Sequence, residues 1–111
     1  MNSIRKSHLV DFQKGWIIGN FYPNLFTSDE IEVGVKFFQA GEKEETHYQR
    51  TATEFTVIIS GKARMGEIIV HSGEIVTIDP GVPCDFEALE DTRLLVVKSP
   101  SLPEDKVLGV P

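Results

Sequence analysis

Short apolar segments return about every ten residues along this chain, and glycine or proline residues separate them. Residues 31–37 and 55–59 alternate in the two-residue period of half-buried strands. Further strands are expected at 15–21, 62–64, 67–70, 74–78, 84–89 and 94–98, and no segment shows a sustained helical period. The pattern predicts an all-β antiparallel sandwich or barrel, in which the odd-numbered residues of 31–37 face the core.

The length of the chain fits one domain. Its 111 residues are 41% hydrophobic and 25% charged, which is an ordinary globular composition. We therefore expect a single domain over residues 1–111, with its core at about residues 31–98. Residues 1–30 would supply an N-terminal strand and lead-in, and residues 99–111 a tail on the outside of the barrel or against a partner subunit.

Charge and cysteine content exclude several classes of function. Eleven basic and seventeen acidic residues give a formal charge of -6, and no basic run with interleaved aromatics would bind nucleic acid. The single cysteine, Cys84, cannot form an internal disulfide. No apolar run has the length of a membrane span or a signal peptide. We expect a soluble cytoplasmic protein with neither a nucleic-acid nor a membrane partner.

Residues 41–61 place polar side chains between two turn glycines. His47 and Gln49 are two residues apart, so a strand would point both to one face. The segment resembles the first motif of the cupin superfamily, a glycine, a His-x-His pair, a glutamate and a closing glycine. Gly41, His47, Glu54 and Gly61 stand at the motif positions, and Gln49 replaces the second histidine.

Residues 73–86 resemble the second cupin motif. Gly73, Pro80 and Gly81 match it, Asp79 replaces its first proline, and Cys84 stands in the place of its histidine. The two motifs in order identify the chain as similar to small single-domain cupins. That resemblance implies a cupin-type jelly-roll barrel, also called a double-stranded β-helix, and a homodimer.

The resemblance also implies a metal centre, which in cupins is built from three histidines and a glutamate. The equivalent positions here hold His47, Gln49, Glu54 and Cys84. A neutral amide is a weak ligand for borderline metals, and a cysteine in an apolar barrel tends to stay protonated. A divalent metal such as iron, manganese, nickel or zinc is therefore left open.

The orientation of the second motif is also left open. Cys84 and Phe86 would share one face of a strand while Asp85 points away. A bulge after Pro83 would reverse this and send Asp85 inward.

Other residues are candidates for the ligand pocket. Tyr48 and Phe86 would flank the cavity mouth, and Arg50 or Arg64 would bind an anionic group of the ligand. Trp16 and Phe37 are interpreted as core or subunit-interface aromatics.

Three functions remain, each with a small-molecule ligand. The first is a metal-dependent oxygenase or isomerase. The second is a metal-independent sugar or keto-acid isomerase or epimerase, in which His47 is the general acid and base and Glu54 orients it. The third is a ligand-binding sensor without catalysis.

Overall fold

The computed structural model describes residues 3–111, which form eleven strands after two single 3-10 turns. The strands are β1 (Trp16–Gly19), β2 (Phe26–Thr27), β3 (Glu32–Phe38), β4 (Lys43–Gln49), β5 (Thr53–Ser60), β6 (Lys62–Met65), β7 (Ile68–His71), β8 (Ile75–Ile78), β9 (Cys84–Ala88), β10 (Thr92–Ser99) and β11 (Lys106–Leu108). The all-β prediction is confirmed.

Two sheets face each other across the core. One has the strand order β2-β1-β3-β10-β5-β8, and the other has the order β11-β4-β9-β6-β7. The pair β1 and β2 is parallel, and the other pairs are antiparallel. Both sheets contribute to one hydrophobic cluster, whose buried members include Ile58, Val70, Phe86, Leu94 and Val96. Among residues 3–111 no helix is long and apolar enough to cross a membrane.

The inner and outer faces of β3 are opposite to the expectation. Its even-numbered Glu32 and Lys36 line an internal cavity, and Phe38 packs against the core. Its odd-numbered Val35 and Phe37 lie on the outer face, where Phe37 is 56% exposed. The prediction that the odd-numbered residues face the core was wrong. The space inside the barrel is partly polar, so the polar half of the alternation points inward.

Three strands lie where the sequence shows little strand pattern. β4 begins inside a charged segment. Its cavity face is polar and its other face meets solvent, so its sequence does not alternate between apolar and polar residues. β2 and β11 are only two and three residues long. In β11, Val107 pairs with Tyr48, so the C-terminal tail extends the sheet that carries His47.

Gly61 shows why the motif needs glycine at the end of β5. Its φ of +96° is in the region that L side chains rarely adopt. A Cβ atom there would also lie 2.3 Å from the carbonyl oxygen of Asp91. The close approach lets the chain turn from β5 directly into β6.

Candidate functional site

A cavity of about 340 Å³ lies between the two sheets. This volume is near the lower end of small-molecule pockets. Apolar side chains of both sheets form part of its wall, and most of the rest is charged or polar. Its lining residues include Met65, Ile78, Phe86, Leu94 and Val96 among the apolar ones, and Glu32, Glu44, His47, Glu54 and Thr56 among the polar ones.

His47 reaches this cavity from β4. The register of β4 against β9 shifts between Glu44 and His47, and His47 then pairs with Cys84. The Nδ1 atom of His47 lies 2.9 Å from the carbonyl oxygen of Glu45. Because a carbonyl only accepts, Nδ1 carries the proton in this bond. The Nε2 atom is then the basic nitrogen of the neutral ring.

Glu54 is a second cavity residue, from β5, and is only 8% exposed. Its Oε2 atom accepts a hydrogen bond of 3.2 Å from the hydroxyl of Thr56, which is also buried. A buried carboxylate is costly without such partners. The group that orients His47 is the carbonyl of Glu45, whereas the hydrogen bond of Glu54 goes to Thr56.

Gln49 and Cys84 join these two residues around a smaller cavity. Together with Tyr48, the four line a space of about 10 Å³, which is room for about one water molecule. Gln49 is 5% exposed, and its side-chain nitrogen has no hydrogen-bond partner in the part of the chain that the structure describes. Burial raises the pKa of the Cys84 thiol, and the nearby Asp85 and Glu54 carboxylates raise it further. Cys84 is therefore a protonated thiol at neutral pH.

Trp16 lies over β3 inside the cavity. A Cβ atom on Gly34 would come within 2.7 Å of the Trp16 ring, so glycine leaves the space that the ring fills. The Nζ atoms of Lys36 and Lys98 lie 4.4 Å and 4.9 Å from centroids of this ring system. Lys98 is also 4.0 Å from a carboxylate oxygen of Glu32. Two ammonium groups thus share one aromatic side chain.

Lys36 has the most perturbed amine in the cavity. Burial is the main cause that lowers the pKa of Lys36 to about 8, and repulsion from Lys98, Lys14 and Lys106 lowers it further. Glu44 acts in the opposite direction. The Lys36 Nζ atom also donates a hydrogen bond of 2.5 Å to the carbonyl oxygen of Lys14.

Comparison with known proteins bears on the fold. No protein-family model matches the chain, and no curated protein matches its sequence. The chain is similar in structure to an uncharacterized double-stranded β-helix protein from Klebsiella pneumoniae, with a TM-score of 0.69 and 19% identity over 76% of this chain and 74% of that one. The chain has the cupin fold. The resemblance drawn from the two motifs is confirmed at this level.

Two enzymes share the cupin fold with this chain. DMSP lyase DddQ from Ruegeria pomeroyi has a TM-score of 0.70 and 23% identity over 84% of this chain and 49% of that one. Oxalate decarboxylase from Bacillus subtilis has a TM-score of 0.65 and 22% identity over 73% of this chain and 24% of that one. The chain thus spans about half of the length of DMSP lyase DddQ and about a quarter of the length of oxalate decarboxylase. The likeness to these enzymes shows the fold alone.

The donor set in this cupin-fold chain fits a metal poorly. Within residues 3–111, no group of three or more His, Cys, Asp or Glu side chains is placed to hold a metal ion. His47 and Glu54 are suitable donors, but Gln49 supplies a neutral amide and Cys84 a protonated thiol. These residues fit at most a low-affinity metal site.

Arg64 and Asp85 form an ion pair. Arg64 Nη1 and Nη2 each lie 3.0 Å from one carboxylate oxygen of Asp85, and Nε lies 3.5 Å from Glu87. This pairing lowers the pKa of Asp85. Asp85 contacts the cavity beside Cys84 and Phe86, whereas Arg64 is not among the residues that line it. The Arg64 charge is already matched by two carboxylates, so we do not assign it to the ligand.

The sequence reasoning missed Trp16, Lys36 and Lys98 as cavity residues. The sequence alone predicts Trp16 as a core or interface aromatic and indicates no role for the lysines. The available signal was the polar half of the β3 alternation, Glu32 and Lys36. Assigning the apolar half to the core hid that signal.

Proposed function

We propose that this cupin binds one small organic molecule in its cavity and that His47 transfers a proton on that molecule without a metal. The orientation of His47 is the observation that carries the proposal. Its Nδ1–H bond to the Glu45 carbonyl fixes the tautomer and leaves Nε2 basic. A proton-transfer role suits an isomerase or epimerase acting on a carbon next to a carbonyl, as in sugars and keto acids.

A ligand screen tests the binding half of this proposal. Sugars, nucleotide sugars and organic acids would be added singly while thermal unfolding is followed. A ligand at one hundred times its Kd should add about 2.7 kcal/mol to the free energy of unfolding. A screen in which no compound raises the Tm would contradict the proposal.

A second function, ligand binding without catalysis, is favoured by the protonated Cys84 and the amide of Gln49. These two positions offer polar contacts to a ligand but neither a strong base nor a strong metal ligand. Binding in the screen without proton transfer on the bound compound would support this second function.

Added divalent metal should have a small effect on stability. With two suitable donors, His47 and Glu54, we expect a Kd near or above millimolar. Millimolar iron, manganese, nickel or zinc would then add at most about 0.4 kcal/mol, equivalent to a Tm rise of about 3 °C or less. Thermal unfolding with and without chelator checks this. Stoichiometric metal in protein purified without chelator, or a rise of about 10 °C or more, would contradict it.

We also propose a homodimer formed through the outer face of the six-stranded sheet. Strands β3, β5 and β8 present apolar side chains there, including Phe37 at 56%, Phe55 at 37%, Ile59 at 57% and Ile75 at 62% exposure. A second copy would cover this face with the same apolar surface, as two-fold symmetry requires.

The dimer predicts a mass of twice 12.4 kDa in light scattering. Because a charge would be buried in the interface, Ile59→Lys should shift the protein toward monomer by at least about tenfold in dissociation constant. Ile68→Lys is a matched control, since Ile68 is equally exposed, at 59%, on β7 of the other sheet. A wild-type monomer at micromolar concentration would refute the proposed interface.

Composition supports two further parts of the proposal. The formal charge of -6 argues against nucleic acid as a partner. We propose a cytoplasmic location, because the single cysteine, Cys84, cannot form an internal disulfide. Cell fractionation of the tagged protein checks the location.

A further inference from the structure

The cavity is lined by four carboxylates, Glu32, Glu44, Glu54 and Asp85, and by an equal number of lysines. The lysines are Lys14, Lys36, Lys98 and Lys106. Lys98 lies 4.0 Å from Glu32, and Lys106 lies 4.0 Å from Glu44. In the described part of the chain, no carboxylate lies within 4.0 Å of Lys36. The Lys36 ammonium group therefore has no close counterion of its own.

Local structure holds this amine in place at some cost. Lys14 has a φ of +53°, which is unfavourable for a residue with a side chain by about 1 kcal/mol. This conformation accompanies the hydrogen bond from Lys36 Nζ to the Lys14 carbonyl. Trp16 occupies the space above Gly34 and contacts both Lys36 and Lys98. Lys98 is well buried, with 11% of its side chain exposed.

We propose that Lys36 and Lys98, with Trp16 beside them, form the binding site for the carboxylate of the cavity ligand, which is a small organic acid. The inference rests on the proposed function, a small-molecule cavity, and names the ligand class. A bound carboxylate supplies the counterion that Lys36 lacks and reduces the repulsion among the lysines. The apolar wall beside it, formed by Leu94, Val96 and Met65, suits a short carbon skeleton.

Binding at this site is coupled to protonation of Lys36. The charged groups that face this amine are Lys14, Lys98, Lys106 and Glu44, and the same cavity also contains Glu32, His47, Glu54 and Asp85. Without ligand the pKa of Lys36 is about 8. A bound anion favours the ammonium form, so affinity is constant below this pKa and falls above it. Between pH 7 and pH 9 the Kd should rise about tenfold.

Titration calorimetry on the full chain tests the site with three probes. The first probe is 2-oxobutyrate, the second is its neutral amide, and the third is inorganic phosphate. We expect Lys36→Met and Lys98→Met each to raise the Kd of 2-oxobutyrate at least about tenfold and to change that of the amide less than about twofold. The pH dependence of the Kd should disappear in Lys36→Met. Lys43→Met is the matched control, because it removes an equal charge from an exposed residue outside the cavity lining.

Each other result overturns the carboxylate site. Such results are equal binding of the acid and the amide, an unchanged Kd in Lys36→Met, or no acid binding up to about 10 mM. Phosphate that binds more tightly than the acid overturns the assignment to a carboxylate. Binding of the amide alone leaves the proposed cavity function standing, whereas failure of every compound in the wider screen removes both. Circular dichroism checks that the variants fold. If Lys36→Met does not fold, Lys36→Gln is used in its place.

Discussion

Replacing Asp105 with alanine should lower the free energy of unfolding by about 3 kcal/mol. Asp105 is 8% exposed and lies just before β11. Its carboxylate accepts backbone hydrogen bonds from Thr51, at 3.0 Å and 3.3 Å, and from Ala52, at 2.9 Å. Ala52 is almost fully buried, so its N–H group would lose its partner with little access to water.

Urea denaturation of Asp105→Ala measures this loss, and thermal unfolding should show a Tm lower by at least about 10 °C. Asp79→Ala is the control, because Asp79 is an exposed turn residue and should cost less than about 0.5 kcal/mol. Asp105→Asn keeps an acceptor oxygen and should fall between the two. A loss below about 1 kcal/mol for Asp105→Ala would show that other contacts order this turn.

The Asp105 bonds matter for the site because of where they lie. The turn that they fix joins β4, which carries His47, to β5, which carries Glu54. The backbone N–H of Arg50, in the same turn, also donates to the Asp105 carbonyl at 2.9 Å. The C-terminal segment thus holds the turn between the strands of the two candidate catalytic residues, although its sequence shows little regular pattern.

The sequence predicts the fold because its turns and strands are marked by local chemistry. The strand Thr53–Ser60 contains a β-branched run at residues 56–59, and the strand Thr92–Ser99 contains an apolar run at residues 94–97. Gly61 stands where the backbone requires a positive φ. These signals are local, so they can be recognised in a single sequence. β11 escapes prediction because three residues carry too little periodicity, and its pairing with β4 is a long-range property.

The candidate site is only partly predictable, because a two-residue period cannot say which face is inside. On β3 the choice between the face of Lys36 and the face of Phe37 depends on what covers each face. A cavity with a polar lining and an apolar outer sheet reverses the usual assignment. The four motif positions His47, Gln49, Glu54 and Cys84, by contrast, line one small space, since a motif encodes the register of both strands.

Replacing His47 with alanine should slow proton exchange on a bound keto acid by about 10²- to 10⁴-fold, because the variant lacks the general base. The assay follows the C3 protons of 2-oxobutyrate in deuterated water by NMR, which reports proton removal whatever the final product is. The Kd of 2-oxobutyrate should change by less than about threefold, because we assign the carboxylate to Lys36 and Lys98.

His71→Ala is the matched control for this experiment. His71 is exposed on β7, and its Nδ1 atom lies 3.1 Å from Glu74 Oε1, so its loss should leave exchange unchanged. Chelator should also leave the wild-type rate unchanged, and a chelator-sensitive rate would favour a metal-dependent reaction. Full exchange in His47→Ala would remove His47 as the base. If the wild type binds 2-oxobutyrate without proton exchange, the cavity would instead be assigned to ligand sensing. His47 Nε2 would then remove no proton from the bound ligand.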